Sequence, residues 1–259
     1  ENTHLMENVI YNERIRRDYA VNVGGEYTLT KFLDTLKNGQ KWKVLLDSVI
    51  MALETTVICL LLGYPIAYIL SNMKRSVASF ISVLFFVPMW MNFVLRTYAW
   101  QAILEYLVPN LLGIDRSLTG TQAAVLMVLV YDFLPFMIMP LYNTLSKLDK
   151  SLLDASRDLG ADGKTTFFRV VLPLSVPGIV SGITMVFVPA ITAFTVPALI
   201  GNGNYNLYGN EIEQAFKVLA GKGDYSIGST LSIILLFFVL ISTAIMNHFD
   251  KDKEGGSIL

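Results

Sequence analysis

The feature that most constrains this chain is a stretch without charge: between Arg169 and Glu211 there is no Asp, Glu, Lys or Arg. A helix on the surface of a soluble protein cannot run that far without a charged residue, whereas a helix facing lipid has to exclude charge. Charged residues make up 16% of the 259-residue chain, against about 25% in ordinary soluble domains. The sequence therefore predicts an integral membrane protein.

Apolar segments divide the chain into membrane spans. Each of them is long enough to cross about 30 Å of hydrocarbon at a rise of about 1.5 Å per residue. They predict an all-α fold, a polytopic bundle of transmembrane helices. The five predicted spans are 49–71, 78–100, 122–143, 175–199 and 226–247.

Residues 1–47 form a polar lead-in to the first predicted span. Within them, 28–36 and 42–46 have the pattern of short helices lying at the membrane surface. A structural lead-in is favoured over a binding site here. The sequence begins with Glu1 and not with Met, which indicates a chain that is trimmed, processed or part of a longer one.

The longest charged stretch between two spans has the pattern of a helical elbow. Residues 154–173 read DASRDLGADGKTTFFRVVLP, a helix, a break at Gly160 and a second amphipathic helix closed by Pro173. Glycine accepts the positive φ that ends a helix, and the small side chains of Ala155 and Ser156 let another backbone approach. These residues leave two interpretations open: a docking face for a partner, or a hairpin that merely links two spans.

This stretch resembles a loop carried by the permease subunits of bacterial ABC importers, with the pattern E-A-A-x3-G-x9-I-x-L-P. Asp154 stands for the Glu, Ser156 for the second Ala and Val170 for the Ile. The resemblance implies that 144–173 is a cytoplasmic coupling loop that docks in a groove of an ATPase subunit. Its coupling residues would be Asp154, Ala155, Ser156, Gly160, Leu172 and Pro173.

The same resemblance implies the rest of the assembly. The chain would act with a second permease subunit, two ATPase subunits and an extracytoplasmic substrate-binding protein, and the ATPase would bind the ATP and Mg. Members of the family have six spans with both ends in the cytoplasm, so a sixth span is expected to precede residue 1.

Other segments resemble the spermidine/putrescine permeases of the B type. These segments are LGYPIAY at 62–68, VPMWMN through RTY at 87–98, and LPFMIMPLY at 134–142. The implied function is polyamine transport across the bacterial cytoplasmic membrane. A permease for another small solute remains the alternative. A self-sufficient secondary transporter is less favoured, because the sequence has neither an inverted repeat nor a charged relay through several spans.

The count of Lys and Arg does not orient the chain, because the lead-in alone holds seven of them. The coupling-loop motif orients it instead. Residues 1–47 are then an extracytoplasmic lead-in, 48–247 the transmembrane permease domain and 248–259 a cytoplasmic tail, with the loop 201–224 outside.

Charged residues inside spans need a reason, because each costs about 2.5–3.5 kcal/mol at the centre of the bilayer. Asp132 is either a structural carboxylate bonded to a neighbouring helix or a counter-charge facing the path of a cation. Aromatic neighbours would attract ammonium groups, although such residues also form interfacial belts. Arg96 is expected to extend to the membrane interface. The candidate pathway residues are Asp132, Tyr131, Phe133, Trp90 and Tyr98.

No catalytic or metal-binding pattern is found in the sequence. The two His residues, His4 and His248, lie outside the predicted spans, and there is no G-x-x-x-x-G-K-[ST] phosphate loop. The single Cys59 is expected to be a small buried apolar residue, and a net charge of −1 gives no indication of nucleic-acid binding. The chain is therefore predicted to be a non-catalytic subunit embedded in the lipid bilayer.

Overall fold

The computed structural model describes residues 37, 39–113, 117–217 and 225–254. The regular structure of these residues is helical throughout. The helices are α1 (Gly39–Ser71), α2 (Arg75–Phe86), α3 (Phe93–Ala102), α4 (Val108–Leu112), α5 (Gln122–Leu145), α6 (Lys150–Asp158), α7 (Gly163–Thr166), α8 (Leu172–Leu174), α9 (Val176–Ile191), α10 (Thr195–Ile200), α11 (Tyr208–Phe216) and α12 (Tyr225–Glu254).

Three helices, α1, α5 and α12, are long and apolar enough to cross a membrane, and two bent helix pairs raise the total to as many as five among the described residues. α1 begins at Gly39, ten residues before the first predicted span. No Gly or Pro interrupts the chain between Gly39 and Gly63, so the helix starts early. The stretch 42–46 is therefore part of α1 and not a separate surface helix, and 28–36 lies outside the described residues.

The second predicted span, 78–100, is two helices that meet at 87°. A 3-10 turn follows α2, and the Asn92 side chain starts α3. Its Oδ1 accepts hydrogen bonds from the N–H groups of Val94 at 2.9 Å and Leu95 at 3.3 Å. An Asn in this place satisfies N–H groups that a helix start leaves without partners. The predicted span 78–100 is therefore interrupted at Asn92, where a second helix begins.

The fourth predicted span, 175–199, begins at a bend and is interrupted near its end. The helical segment Gly163–Leu174 meets α9 at 60°, with Ser175 at the bend. α9 ends at Ile191, and residues 192–194 separate it from α10. Proline contributes to such breaks because it lacks an N–H and its ring clashes with the preceding turn; Pro189 lies inside the last turn of α9.

The core of the bundle is formed where α1, α5 and α9 pack together. α9 approaches α5 through two glycines four residues apart. A Cβ added at Gly178 would lie 2.6 Å from Thr144 Oγ1, and one at Gly182 would lie 2.6 Å from Met137 Sδ. Small residues at this spacing allow helices to pack closely in membranes, where no hydrophobic force drives helix against helix.

The connecting segments gather at two opposite ends of the bundle. At one end, Gly120 N–H donates to the Ile200 carbonyl at 2.7 Å, and Tyr208 N–H donates to Ser48 Oγ at 2.7 Å. The predicted coupling loop lies at the other end, against the C-terminal part of α1. The side of the membrane that each end faces remains a prediction from the motif.

Candidate functional site

The first candidate site is the elbow formed by α6, α7 and the turn between them. Gly160 has a φ of +82°, a left-handed conformation that favours glycine. Its N–H donates to the Arg157 carbonyl at 2.8 Å, and the Ala161 N–H donates to the Ser156 carbonyl at 3.1 Å. This pair of bonds is a Schellman motif, which ends α6 and sets the direction of the following arm.

A carboxylate caps the start of each arm. Asp149 Oδ1 accepts from the Ser151 N–H at 2.9 Å, and Asp162 Oδ1 accepts from the Thr165 N–H at 2.8 Å. Hydrogen bonding from Ser151 lowers the pKa of Asp149, and hydrogen bonding from Thr165 lowers the pKa of Asp162. Both carboxylates are therefore ionised at neutral pH and hold their helix starts in place.

An open groove of about 830 Å³ lies between the two arms. The arms are joined by a hydrogen bond between Ser156 Oγ and Thr166 Oγ1, 3.1 Å apart. Leu159 at the tip of the elbow is 90% exposed and Leu152 is 47% exposed. The elbow therefore presents two large apolar side chains to its surroundings beside the open groove.

Most of the predicted coupling residues face this groove, but two do not. Asp154 is exposed and forms an ion pair with Arg157, Nη1 to Oδ1, at 3.5 Å on the outer side of α6. Leu172 packs against the hydrophobic core. The predicted residues that line the groove are Ala155, Ser156, Gly160 and Pro173.

The second arm of the elbow is tied to the spans. The Phe167 ring makes edge contacts with the Tyr64 and Tyr68 rings of α1, each at 5.7 Å between centroids. Ser175 Oγ donates to the Leu172 carbonyl at 2.8 Å, so the Tyr64 hydroxyl is the donor in its 2.9 Å bond to Ser175 Oγ. The second arm is therefore in contact with α1 and, through Tyr64, with the bend before α9.

The second candidate site is a buried ion pair inside the bundle. Arg96 Nε of α3 lies 2.8 Å from Asp132 Oδ1 of α5, and the two side chains are 9% and 1% exposed. Arg96 therefore does not extend to the membrane interface as expected, because it is drawn to the carboxylate of another helix. Opposite charges inside spans pair with each other when they can, because neither is solvated there.

The guanidinium of Arg96 has three other neighbours. Its Nη1 donates to the Pro88 carbonyl at 3.0 Å. Its Cζ lies 5.4 Å from the Phe93 ring centroid and 5.9 Å from that of Tyr131. The Tyr131 ring in turn makes an edge contact with Trp100 at 5.0 Å. The cation is thus held by one carbonyl and two aromatic faces besides the carboxylate.

A cavity of about 310 Å³ adjoins the ion pair. Tyr131, Asp132 and Arg96 line it, together with apolar side chains of α2, of the turn that follows α2 and of α5. Phe133 is only 8% exposed and packs against Phe136, whereas Trp90 is 84% and Tyr98 is 51% exposed. The structure thus brings two of the five predicted pathway residues to this cavity and leaves Phe133, Trp90 and Tyr98 away from it.

The sequence interpretation missed Arg96 as the partner of Asp132. A signal was present, because two opposite charges in apolar segments favour pairing, but the partners are far apart in sequence. Among the described residues, no group of three or more His, Cys, Asp and Glu side chains is arranged to hold a metal ion.

Comparison with known proteins identifies the family of the chain. The family described as "Binding-protein-dependent transport system inner membrane component" matches residues 60–255. The spermidine/putrescine transport system permease protein PotB of Escherichia coli (strain K12) is 39% identical over 238 residues, covering 88% of this chain and 84% of that protein. PotB of Haemophilus influenzae is 38% identical over 208 residues, covering 76% of this chain and 73% of that protein.

Solved structures match the fold. A bacterial ABC transporter involved in the import of the acidic polysaccharide alginate superposes with a TM-score of 0.66 at 13% identity, over 97% of this chain and 94% of the other. The same kind of transporter in complex with an alginate pentasaccharide-bound periplasmic protein gives a TM-score of 0.64 at 14% identity.

Proposed function

The chain belongs to the family of inner membrane components of binding-protein-dependent transport systems, and on that premise we propose that it is the permease subunit of an ATP-driven importer of polyamines. It lies in the cytoplasmic membrane of a bacterium. Its partners are a second permease subunit, two ATPase subunits and an extracytoplasmic substrate-binding protein. It holds no ATP or Mg itself and carries no catalytic residue.

One observation carries the choice of substrate. The relatives named as spermidine/putrescine permeases are 38–39% identical to this chain over most of its length. The alginate transporters match at 13–14% identity and support the fold alone. A polyamine carries several ammonium groups on a flexible alkyl chain, and the cavity beside Asp132 offers a carboxylate and apolar walls to such a molecule.

The groove of the elbow supports the proposed coupling to an ATPase. Leu159 is an exposed apolar knob, and the small residues Ala155 and Gly160 leave space beside it for a partner surface. When the ATPase subunits close, the elbow moves with them. The contacts of Phe167 with Tyr64 and the bend at Ser175 then carry the movement into α1 and α9.

The translocation pathway is proposed to run past Tyr131 and Asp132. For Phe133, Trp90 and Tyr98, a role in the pathway stays a prediction. Trp90 and Tyr98 are exposed. If the pathway runs between the two permease subunits, both residues would lie on the surface that faces the second subunit.

The identity of the substrate is tested by measuring uptake into right-side-out membrane vesicles. The chain is expressed with its ATPase, second permease and binding protein, and the uptake of radiolabelled spermidine and putrescine is measured with and without internal ATP. ATP-dependent accumulation of both amines, abolished by vanadate, is expected. Accumulation of a neutral or acidic solute in place of the amines would contradict the proposal.

An added charge in the groove tests the coupling. Ala155→Arg places a long cation where the partner docks, and we expect uptake to fall while the variant still inserts in the membrane. Ser151→Arg is the matched control, since it adds the same charge to the same helix outside the groove. Equal uptake by the two variants would refute the docking role.

A further inference from the structure

The buried ion pair leaves part of its carboxylate unused. Arg96 Nε approaches Asp132 Oδ1 at 2.8 Å, but its N–H does not point along this line. Within the described part of the chain, neither Asp132 oxygen has a hydrogen bond of good geometry. Buried polar groups are normally satisfied, because an unsatisfied one keeps its full desolvation cost. The Asp132 carboxylate therefore retains the capacity to accept hydrogen bonds from another donor.

Asp132, whose carboxylate oxygens lack a hydrogen bond of good geometry, lines the apolar cavity. The volume of about 310 Å³ lies at the small end of the range of roughly 300–1,000 Å³ found for ligand pockets. Its apolar walls include Ile81, Leu84, Phe85, Leu134 and Pro135, and Arg96 lines it beside Asp132. Such a site suits a molecule with a methylene segment for the walls and a cationic donor for the carboxylate.

Arg96 already occupies the position of such a cation. With Arg96 in place the site is neutral overall, so it does not attract a second cation strongly. Arg96 also keeps other contacts that do not involve Asp132, namely the Pro88 carbonyl at 3.0 Å and the faces of Phe93 and Tyr131. A guanidinium that leaves the carboxylate is therefore still held by a carbonyl and by cation–π attraction.

The geometry points to an exchange site, in which a primary alkylammonium group binds the Asp132 carboxylate in place of Arg96 and its methylene segment lies in the adjoining cavity. This inference rests on the proposed function and deepens it, since it assigns recognition of the substrate's ammonium group to Asp132. Arg96 acts as a tethered competitor. It keeps resting affinity low, so that an amine delivered from outside is not trapped in the membrane.

The exchange also loosens a helix contact. Arg96 lies in the first turn of α3, directly after the 87° break, and the ion pair joins α3 to α5. An amine that takes the carboxylate removes this link and leaves the ring contact of Trp100 with Tyr131. Binding of an amine therefore allows α3, the helix after the 87° break, to move more freely relative to α5.

The test measures amine binding to the assembled transporter in lipid nanodiscs, with the second permease and the ATPase subunits present and the binding protein omitted. Radiolabelled spermidine is the probe, by equilibrium dialysis at low ionic strength. If Arg96 holds the carboxylate in nine-tenths of the molecules or more, Arg96→Gln lowers the Kd by about tenfold or more. Lys217→Gln is the matched control: it removes one positive charge in an exposed pair and should leave the Kd unchanged.

The double variant separates this role from a structural one. Either single substitution leaves a buried charge without its partner, which costs stability. The yield of assembled complex is therefore measured for each variant, and Asp132→Asn is combined with Arg96→Gln. The double variant should assemble like the wild type and lose the gain in affinity. An unchanged Kd for Arg96→Gln, or a double variant that binds as tightly as Arg96→Gln, would overturn the exchange site.

A separate measurement addresses the proposed function. Binding-protein-dependent spermidine uptake by the wild-type transporter decides whether polyamines are the transported substrate. Uptake by the wild type with no effect of Arg96→Gln on binding refutes the exchange site only. No uptake by the wild type refutes polyamine transport, while the comparison of Arg96→Gln with the double variant still decides whether Arg96 and an amine compete for the Asp132 carboxylate.

Discussion

Replacing Gly160 by Ala is expected to weaken docking of the ATPase through the backbone alone. Gly160 ends α6 with a φ of +82°, and no atom lies within 4 Å of the place where a Cβ would be added. The substitution therefore meets no steric obstacle within this chain. What remains is the left-handed conformation, which costs an L-residue roughly 1–2 kcal/mol.

This cost changes the population of the elbow. A penalty of 1–2 kcal/mol lowers the ratio of the ordered elbow to alternative turns by about 5- to 30-fold. Because docking requires the ordered elbow, the Kd of the ATPase for the permease rises by up to this factor. The Kd is measured by titrating purified ATPase subunits into the solubilised permease complex, and the ratio of uptake to ATP hydrolysis is followed in parallel.

Two further variants identify the cause. Gly160→Asn introduces a larger side chain, but Asn tolerates the left-handed region, so its Kd should stay near that of the wild type. Gly163→Ala in the same loop also meets no atom within 4 Å and has no positive φ, so it should dock normally. The reasoning is refuted if Gly160→Ala docks as tightly as the wild type. A Gly160→Asn variant as weak as Gly160→Ala would instead indicate steric exclusion in the groove.

Three other predictions follow from the packing, the orientation and the helix caps. Gly178→Ala should lower the free energy of unfolding by about 1–3 kcal/mol, since its Cβ meets a Cβ and a carbonyl of α5. Gly182→Ala should cost less, because its Cβ meets the flexible end of a Met side chain. Thermal unfolding of the two purified variants in the same detergent compares them, and equal losses would contradict the packing argument. In a cysteine-free background, Asn204→Cys should react with an impermeant thiol reagent added to intact cells and Lys164→Cys should not; labelling of the latter from outside would refute the orientation. The pKa of Asp162 is lowered in the folded protein. Its cap therefore stabilises the elbow fully above the ordinary carboxyl pKa of about 3.9, and this stabilisation is lost as pH falls through the lower folded value. Asp162→Asn should remove the acid-induced loss of amide protection in this segment, measured by hydrogen exchange corrected for the intrinsic rate.

The class of protein and its family could be predicted from the sequence. The charge-free stretch after Arg169 and the long apolar segments depend only on hydropathy, which the bilayer imposes locally along the chain. The family match over residues 60–255 confirms the family predicted from the coupling-loop pattern, and the helical structure confirms the fold class. The break at Gly160 was predictable too, because a helix end with a positive φ is a local property of the backbone.

The path of the chain within the bundle was decided by the tertiary structure. Hydropathy measures how apolar a segment is but not the course of its backbone. It predicted the span 78–100 but not the 87° bend inside it, where Asn92 caps a new helix. The partner of Asp132 was hidden for a related reason. Arg96 and Asp132 lie on different helices, and neither sequence spacing nor residue type determines which buried charges meet. The fold places α3 within side-chain reach of α5, and the two charges meet at 2.8 Å. A charge removed from water is stabilised most by an opposite charge close to it.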